Sequence, residues 1–387
     1  MYIEVAGTNT ANKGAELMLA AIKQQLANVR GLKLATEPSF GKIADRQTYH
    51  LETIIRPKKI GRTWIVAQIM PESVRRTCGL VVEPEIDAVL DASGFAFSDE
   101  LGPVRTERFA DDVHRWKRQG KPVILLPQAL GPFRTPRVRK AFLRVVENAN
   151  LIFARDCTSF EYLTELTSNP TNLRLAPDFT NLVTAEPPQK HEIPDNTVLI
   201  VPNYRMIEKT RHDLQQLYVP FLVSCIGQIR ELGLRPAILL HDDNLDKTFI
   251  PHLQREITNP PPVIDDPSPI GLKGILGAAR LVIGSRFHAL VGALSQGVPC
   301  IAAGWSHKYD TLMQAYNCPE TLVPVDASQD KLRELIKFAT STEGHHDLVK
   351  RITESCARQE LAVKKMWQEV TNVLGFDLEK NTSSEQK

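Results

Sequence analysis

Three polar residues, Ser285, Arg286 and His288, follow an apolar segment of the sequence at the point where a helix is predicted to begin. An arginine guanidinium can hold a phosphate or a carboxylate through two parallel N–H bonds, and the first N–H groups of a helix add further donors for an anion. Histidine is the side chain that most readily exchanges a proton near neutral pH. This combination predicts an anion site with a proton-transfer group beside it. The alternative is that Arg286 forms a surface ion pair and that His288 is a satisfied structural histidine.

Two predicted strands and a helix position these residues. The segment ARLVIG precedes Ser285, and the segment CIAAG begins at Cys300; both have the composition of buried strands, with a helix over 288–296 between them. Lys308 follows the second strand after a short loop. Ligands of open α/β sheets bind outside the carboxyl ends of the strands. We therefore expect Lys308 to reach the same ligand as Arg286.

Other predicted strands also end in polar residues that we interpret as ligand contacts. In order along the chain these residues are Asn12, Glu16, Asp91, Gln128, Asp178, Asn203 and Arg205. For Asn12 and Glu16, a loop that caps the following helix explains the pattern equally well. For Asp178, a structural capping role is equally consistent with the sequence. The cluster His241, Asp242 and Asp243 fits a metal site or an ordinary turn after a strand, and no metal is predicted from it.

Composition places the chain among globular proteins. Its 387 residues are enough for two domains, and a formal net charge of +2 does not indicate nucleic-acid binding by bulk charge. The six cysteines include no CxxC pair, which argues against a zinc site or a disulfide framework. No apolar run reaches the roughly 18 residues of a membrane span, so a cytoplasmic enzyme is expected. The basic run RPKKIGR at 56–62 indicates a solvated face or peripheral contact with an anionic membrane.

Strands alternate with helices in both halves of the sequence, which predicts an α/β fold with parallel sheets. The segment 182–195 contains Pro187, Pro188 and Pro194 and is interpreted as a linker. The predicted domains are residues 1–185 and 195–345, each Rossmann-like and facing a common cleft. A long helix over 348–374 is predicted to pack back on the first domain, and the polar tail 379–387 is predicted to be disordered. Two such domains resemble the GT-B arrangement of glycosyltransferases.

Five motifs in order resemble those of the polysaccharide pyruvyl transferase family. They are N-x-G-A-E-L-M-L at 12–19, P-Q-A-L-G-P-F at 127–133, A-R-D-x-x-S at 154–159, A-P-D at 176–178, and S-R-F-H at 285–288 with K-Y at 308–309. The resemblance implies transfer of the enolpyruvyl unit of phosphoenolpyruvate to a sugar of a polysaccharide or lipid-linked glycan precursor, with no cofactor. The donor would lie in the C-terminal domain and the acceptor in the N-terminal domain.

The resemblance also implies roles for the candidate residues. Arg286, Arg205 and Lys308 would bind the two anionic groups of phosphoenolpyruvate. His288 would transfer the proton, with Asp178 or Asp91 as its partner. Two alternatives remain open at this point, a nucleotide-sugar glycosyltransferase of the same architecture and a non-catalytic family member that binds glycan.

Overall fold

The computed structural model describes residues 1–56, 70–167, 171–208, 212–242, 245–304 and 307–376. The chain forms two compact units. Unit 1 comprises Met1–Thr10, Ala21–Phe179 and the residues from Ala362 onward, and unit 2 comprises Ala11–Ala20 and Thr180–Leu361. The division between the halves falls at Thr180, just before the predicted linker at 182–195. Two further boundaries between the units fall inside helices. Each unit therefore contains residues from both halves of the sequence.

Unit 1 is built on a wholly parallel sheet. The strand order is β4-β3-β2-β1-β5-β7-β8-β9, with β6 paired to β7. The strands are β1 (Tyr2–Ala6), β2 (Lys33–Thr36), β3 (Glu52–Ile55), β4 (Leu80–Val82), β5 (Ala88–Asp91), β6 (Phe95–Phe97), β7 (Val123–Leu130), β8 (Leu151–Ala154) and β9 (Leu173–Leu175). The helices are α1 (Lys13–Leu26), α2 (Ile43–Thr48), α3 (Glu72–Thr77), α4 (Pro103–Arg118), α5 (Pro136–Asn148) and α6 (Cys157–Thr164). The first residues of α1 belong to unit 2.

Unit 2 contains a second parallel sheet, in the order β12-β11-β10-β13-β14-β15. Counted along the chain, this is the 3-2-1-4-5-6 order of the Rossmann fold. The strands are β10 (Thr197–Val201), β11 (Arg235–Leu239), β12 (Val263–Ile264), β13 (Leu281–Gly284), β14 (Cys300–Ala303) and β15 (Leu322–Val323). The helices are α7 (Arg205–Glu208), α8 (His212–Glu231), α9 (Leu245–Arg255), α10 (Pro269–Gly277), α11 (Phe287–Leu294), α12 (His307–Ala315), α13 (Gln329–Thr340) and α14 (Thr342–Leu374).

Burial explains why these segments form central strands. Every residue of β7, β10, β13 and β14 is buried, as expected for strands that helices cover on both faces. Each sheet has its own apolar core, one around Val123 and Phe142 and the other around Ile200 and Ile283. The predicted α/β fold of two Rossmann-like domains is confirmed.

Several predicted boundaries differ from the structure. Gln128, predicted to lie at the end of a strand, lies inside β7, which continues to Leu130. The final helix begins at Thr342 and not at residue 348. Arg56, the first residue of the predicted basic run, is buried and paired with Glu4, Glu37 and Glu83. The rest of that run and the tail 379–387 lie outside the described residues.

Among the helices that the structure describes, none combines the length and the hydropathy that a bilayer-spanning segment needs.

Candidate functional site

The sheet of unit 2 reverses its order between β10 and β13, and the loops that leave these two strands diverge at their carboxyl ends. Such a switch point is where open α/β sheets bind ligands. Asn203 follows β10, and Ser285 and Arg286 follow β13. The side-chain Nδ2 of Asn203 donates to the carbonyl oxygen of Ser285 at 2.7 Å. The fold therefore brings three of the predicted site residues together.

Ser285 anchors this turn. Its carbonyl oxygen also accepts a hydrogen bond from the Tyr309 hydroxyl at 2.7 Å, and its Oγ accepts one from the Tyr218 hydroxyl at 3.3 Å. Burial raises the pKa of Tyr218, so its hydroxyl stays protonated and available as a donor. Ser285 itself is fully buried, and the described contacts give its side chain a structural position in the turn. Its predicted contact with a ligand stays a prediction.

Arg286 immediately precedes α11 and lies in a buried ion-pair cluster. Its Nε donates to Asp246 Oδ2 at 2.9 Å and its Nη2 donates to Asp246 Oδ1. Its Nη1 lies 3.2 Å from Asp242 Oδ2. All three side chains are at least nine-tenths buried. The ion pair considered from the sequence is therefore present, but it is internal and lies at the switch point, not on the surface.

His288 is the second residue of α11 and contacts the start of α1. A Cβ atom on Gly14 would lie 2.3 Å from His288 Nδ1, so only glycine allows this approach. Asn12 Oδ1 accepts hydrogen bonds from the N–H groups of Gly14 at 2.8 Å and Ala15 at 3.2 Å. The structure therefore shows the capping function that the sequence left open for Asn12. It also brings the opening motif and the S-R-F-H motif together in unit 2.

Glu16 and Lys13 hold the same segment in place. Lys13 Nζ donates to Glu16 Oε2 at 2.8 Å and to the carbonyl oxygen of Pro267 at 2.6 Å, and both side chains are buried. A buried pair of this kind fixes the first turn of α1 against the loop before α10. A direct contact of Glu16 with a ligand stays a prediction.

Two more predicted cations lie at the same edge of the sheet. The N–H of Arg205, at the start of α7, donates to Asn203 Oδ1 at 3.1 Å. The ammonium group of Lys308, in α12, lies 5.2 Å from the ring centre of Tyr309 and 5.8 Å from that of Phe287. Both residues are partly exposed. The backbone of Arg205 and the ammonium group of Lys308 therefore lie beside residues that form or contact the Ser285 turn, and both side chains are partly open to solvent.

His241 contributes an uncharged imidazole beside this cluster. Burial, with a further contribution from the charges of Arg286 and His288, lowers its pKa to about 3. It is therefore neutral at physiological pH. The described residues contain no group of three or more His, Cys, Asp or Glu side chains that could hold a metal ion. Asp243, the third member of the cluster considered as a metal site, lies outside the described residues.

Asp91 and Gln128 form a separate cluster in unit 1. Asp91 ends β5 as predicted and accepts hydrogen bonds from Gln128 Nε2 and Ser93 Oγ, each at 2.9 Å. Burial raises the pKa of Asp91. The carboxylate lines a cleft of about 230 Å³ with Arg105 and Arg108. Gln128 is fully buried beneath it and supports Asp91 from within β7.

Asp178 also lies in unit 1, where it is buried. Arg155 Nη1 donates to Asp178 Oδ2 at 3.1 Å, so the A-R-D-x-x-S and A-P-D motifs contact each other. Ala154 of the A-R-D-x-x-S motif ends β8, and its residues 156–159 form the N-cap and the first residues of α6. Asp156 caps this helix by accepting a hydrogen bond from the N–H of Ser159 at 2.8 Å. A catalytic function for Asp178 stays a prediction.

The sequence did not single out Asp246, and it did not show why Gly14 is needed. Asp246 is fully buried and binds Arg286 through both carboxylate oxygens. The sequence did contain a signal for Asp246. Acidic residues cluster after the segment that forms β11, and the carboxyl end of this strand lies at the same edge of the unit 2 sheet as Arg286.

Comparison with known proteins agrees with the motif order. A family model described as polysaccharide pyruvyl transferase matches residues 12–307. The amylovoran biosynthesis protein AmsJ of Erwinia amylovora is 20% identical over 311 residues, 75% of this chain and 74% of that protein.

Solved structures show the same fold at low identity. Anabaena HepE in complex with UDP-glucose has a TM-score of 0.59 at 13% identity, over 97% of this chain and 99% of that one. S. aureus MnaA in complex with UDP has a TM-score of 0.60 at 12% identity, over 97% and 96% of the two chains. These similarities support the predicted GT-B-like class of fold and nothing about ligands. Because the family model spans well over half of the sequence and includes both the α1 motif and the S-R-F-H motif, the chain belongs to the polysaccharide pyruvyl transferase family.

Proposed function

We propose that this protein transfers the enolpyruvyl unit of phosphoenolpyruvate to a sugar, forming a pyruvate ketal and releasing phosphate. The observation that carries the proposal is the position of His288 in the first turn of α11, next to buried Arg286 at the switch point of unit 2. A titratable group thereby stands beside a cation and the N–H groups of a helix terminus. Family membership gives the reaction class to which this arrangement is suited.

Charge supports a donor with two anionic groups. Phosphoenolpyruvate carries a phosphate and a carboxylate, and each requires cationic or N–H donors in a site from which water is partly excluded. Arg286, Arg205 and Lys308 lie at one edge of the unit 2 sheet, and α11 adds the N–H groups of its first turn. We propose that these groups bind the donor without a metal or a cofactor, and that Asn203 and Ser285 shape the site.

The chemistry needs two proton transfers. One sugar hydroxyl adds to the central carbon of the enolpyruvyl unit and loses its proton, which balances the proton that the methylene carbon gains in becoming a methyl group. The C–O bond to phosphate then breaks, the oxygen of a second sugar hydroxyl takes the place of the phosphate oxygen, and the proton of that hydroxyl goes to the released phosphate. We propose that His288 moves the proton to the methylene carbon, because histidine can both give and take a proton near neutral pH. Asp91 and Asp178 are the carboxylates that we propose for the acceptor.

The family and one relative support a class of acceptor. AmsJ is named for the biosynthesis of amylovoran. We propose that the acceptor is a sugar of an exopolysaccharide or cell-envelope glycan, or of its lipid-linked precursor, and that the protein acts in the cytoplasm. The N-terminal unit, with the cleft beside Asp91, is the proposed acceptor side.

Phosphate release from phosphoenolpyruvate in the presence of candidate glycan acceptors tests the proposal, with mass spectrometry of the product. We expect acceptor-dependent release of phosphate and a product that carries a ketal. The His288→Gln variant should keep donor affinity in calorimetry and lose roughly 10²–10⁴-fold in turnover.

A panel of nucleotide sugars is the matched comparison. Binding and turnover of a nucleotide sugar, with no binding of phosphoenolpyruvate, would replace the proposal with a glycosyltransferase. Near-normal turnover by folded His288→Gln protein would remove His288 from the chemistry.

A further inference from the structure

Arg286 is engaged by two carboxylates of the protein itself. A guanidinium has five N–H donors. Asp246 takes the donors on the Nε/Nη2 edge, and Asp242 lies 3.2 Å from Nη1. Two N–H donors, one on Nη1 and one on Nη2, are not used by these contacts. An anionic substrate that binds Arg286 must therefore accept hydrogen bonds from these two N–H groups or replace one of the carboxylates.

The two carboxylates contact the guanidinium differently. Asp246 is fully buried, binds through both oxygens, and also accepts a hydrogen bond from the N–H of Tyr204 at 3.0 Å. That contact ties Asp246 to the loop after β10, so it holds the guanidinium at the switch point. Asp242 follows β11 and approaches the guanidinium with one oxygen at a longer distance. Asp246 is thus the anchor of Arg286, whereas Asp242 occupies a position that a ligand oxygen could take.

The charge balance makes this difference matter. One guanidinium and two carboxylates leave the cluster with a net negative charge when all three are ionised. The carboxylate of Asp242 repels an anionic ligand that approaches Nη1. This repulsion is relieved only if the carboxylate is removed or displaced. Asp246 also repels an anion, but without it the guanidinium loses its fixed orientation, and an unpaired charge is left buried.

We propose that Asp246 is the positioning residue of Arg286 and that Asp242 is a counter-ion which an anionic group of the donor displaces from Nη1. The inference rests on the proposed function, because it takes Arg286 to bind the donor. It predicts that removing the charge of Asp242 raises the affinity for the donor, whereas removing the charge of Asp246 lowers it. If the cluster had only a structural function, both substitutions would lower the affinity.

The test is calorimetric titration of phosphoenolpyruvate into wild type, Asp242→Asn and Asp246→Asn. We expect about tenfold tighter binding for Asp242→Asn, since one repelling charge is removed a few ångströms from the anion. We expect about tenfold weaker binding or more for Asp246→Asn, with turnover at saturating donor within a few-fold of wild type. Asp347→Asn is the matched control, because this carboxylate also pairs with an arginine, Arg351, but in α14. Its donor affinity should stay within twofold of wild type.

A double variant keeps the test decisive if Asp246→Asn folds poorly. Arg286→Met with Asp246→Asn removes the buried charge together with its partner. If Asp246 acts only through Arg286, this protein should bind the donor as weakly as Arg286→Met alone and no more weakly.

Failure of the inference and failure of the proposed function give different results. Equal weakening by Asp242→Asn and Asp246→Asn, with normal binding by wild type, overturns the inference and leaves the proposed function standing. If wild type does not bind phosphoenolpyruvate, the proposed function fails, and the same variants are titrated with inorganic phosphate. Tighter phosphate binding by Asp242→Asn and weaker phosphate binding by Asp246→Asn would support the proposed arrangement around Arg286. Any other result, including no binding of phosphate, would overturn that arrangement as well as the proposed function.

Discussion

Gly14 and His288 are 274 residues apart in sequence numbering and in contact in the fold. Gly14 lies inside α1, where glycine usually costs about 1 kcal/mol relative to alanine. The contact explains its presence, because a side chain at this position would collide with the imidazole. Glycine at this position therefore lowers the helix propensity of α1, but it leaves the space that the imidazole of His288 occupies.

The Gly14→Ala variant should consequently move the ring of His288. A Cβ at 2.3 Å from Nδ1 is far inside van der Waals contact, so the ring or the first turn of α1 must shift. For the proton-transfer function proposed for His288, such a displacement commonly costs about 10²-fold in rate. We expect a turnover loss of that order in phosphate release, even though alanine favours the helix. Gly227, which lies inside α8 with open space around it, offers a control at Gly227→Ala that should leave turnover unchanged.

The protonation of His241 should make the stability of unit 2 depend on pH. Burial lowers its pKa to about 3, whereas an unfolded histidine titrates near 6.5. Between these values the unfolded chain binds a proton that the folded chain does not, so stability falls as the pH falls. The free energy of unfolding should lose up to about 1.4 kcal/mol per pH unit from this group.

The His241→Gln variant should therefore lose less stability between pH 7 and pH 5 than wild type. Urea unfolding at both pH values measures the difference, and the pH 7 value corrects for any general effect of the substitution. An unchanged pH dependence would show that His241 is not buried in its neutral form.

At the scale of elements, the turn between β13 and α11 depends on neighbouring elements for its shape. The carbonyl oxygen of Ser285 accepts hydrogen bonds from Asn203 after β10 and from Tyr309 in α12. Two segments that are distant in sequence from Ser285 therefore hold the peptide that precedes Arg286. The orientation of α11 and of its first N–H groups follows from this arrangement.

Tyr309→Phe should loosen this turn, and Tyr316→Phe is its matched control. Both hydroxyls are buried in unit 2; Tyr316 donates to Asn181 Oδ1 at 3.0 Å, away from the Ser285 turn. Each variant should lose about 1 kcal/mol of stability with its hydrogen bond. Only Tyr309→Phe should weaken donor binding in calorimetry. Equal effects of the two variants on donor affinity would contradict this function of Tyr309.

At the scale of the whole molecule, one helix contributes to both cores. The first part of α14 places Leu348 and Ile352 in the apolar core of unit 2. From Ala362 onward the helix belongs to unit 1, where the ring of Trp367 contacts that of Phe179 edge-on, with centroids 6.1 Å apart. Glu369 also pairs with Arg174 of unit 1 at 2.6 Å. The stability of each unit should therefore depend on a different part of this helix.

Trp367→Ala and Ile352→Ala test this division against each other. Removal of a buried tryptophan typically costs about 3–5 kcal/mol, and of a buried isoleucine about 2–5 kcal/mol. Hydrogen exchange followed by mass spectrometry should show faster exchange in β8 and β9 for Trp367→Ala. It should show faster exchange in β13 and β14 for Ile352→Ala. Faster exchange in the same strands for both variants would mean that the units do not unfold separately.

The sequence alone determined the class of fold and the places where chemistry could occur. Apolar segments of strand length alternate with helical periodicity, and this pattern leads to parallel sheets because parallel strands need covered crossovers. Polar residues at the ends of those segments, such as Asn203, Arg286 and Asp91, could be selected because strand ends are local features. The family motifs added their order along the chain.

Only the tertiary structure decided which of these residues meet. Asp246 binds Arg286 because β10 pairs with both β11 and β13, which brings the loops after these strands to one edge of the sheet. Gly14 meets His288 because the first turn of α1 belongs to unit 2. Local patterns report the preferences of near neighbours, whereas strand order and helix docking depend on the burial of the whole chain. For this reason the sequence located the arginine and the histidine, and the fold supplied the carboxylates and the glycine that hold them.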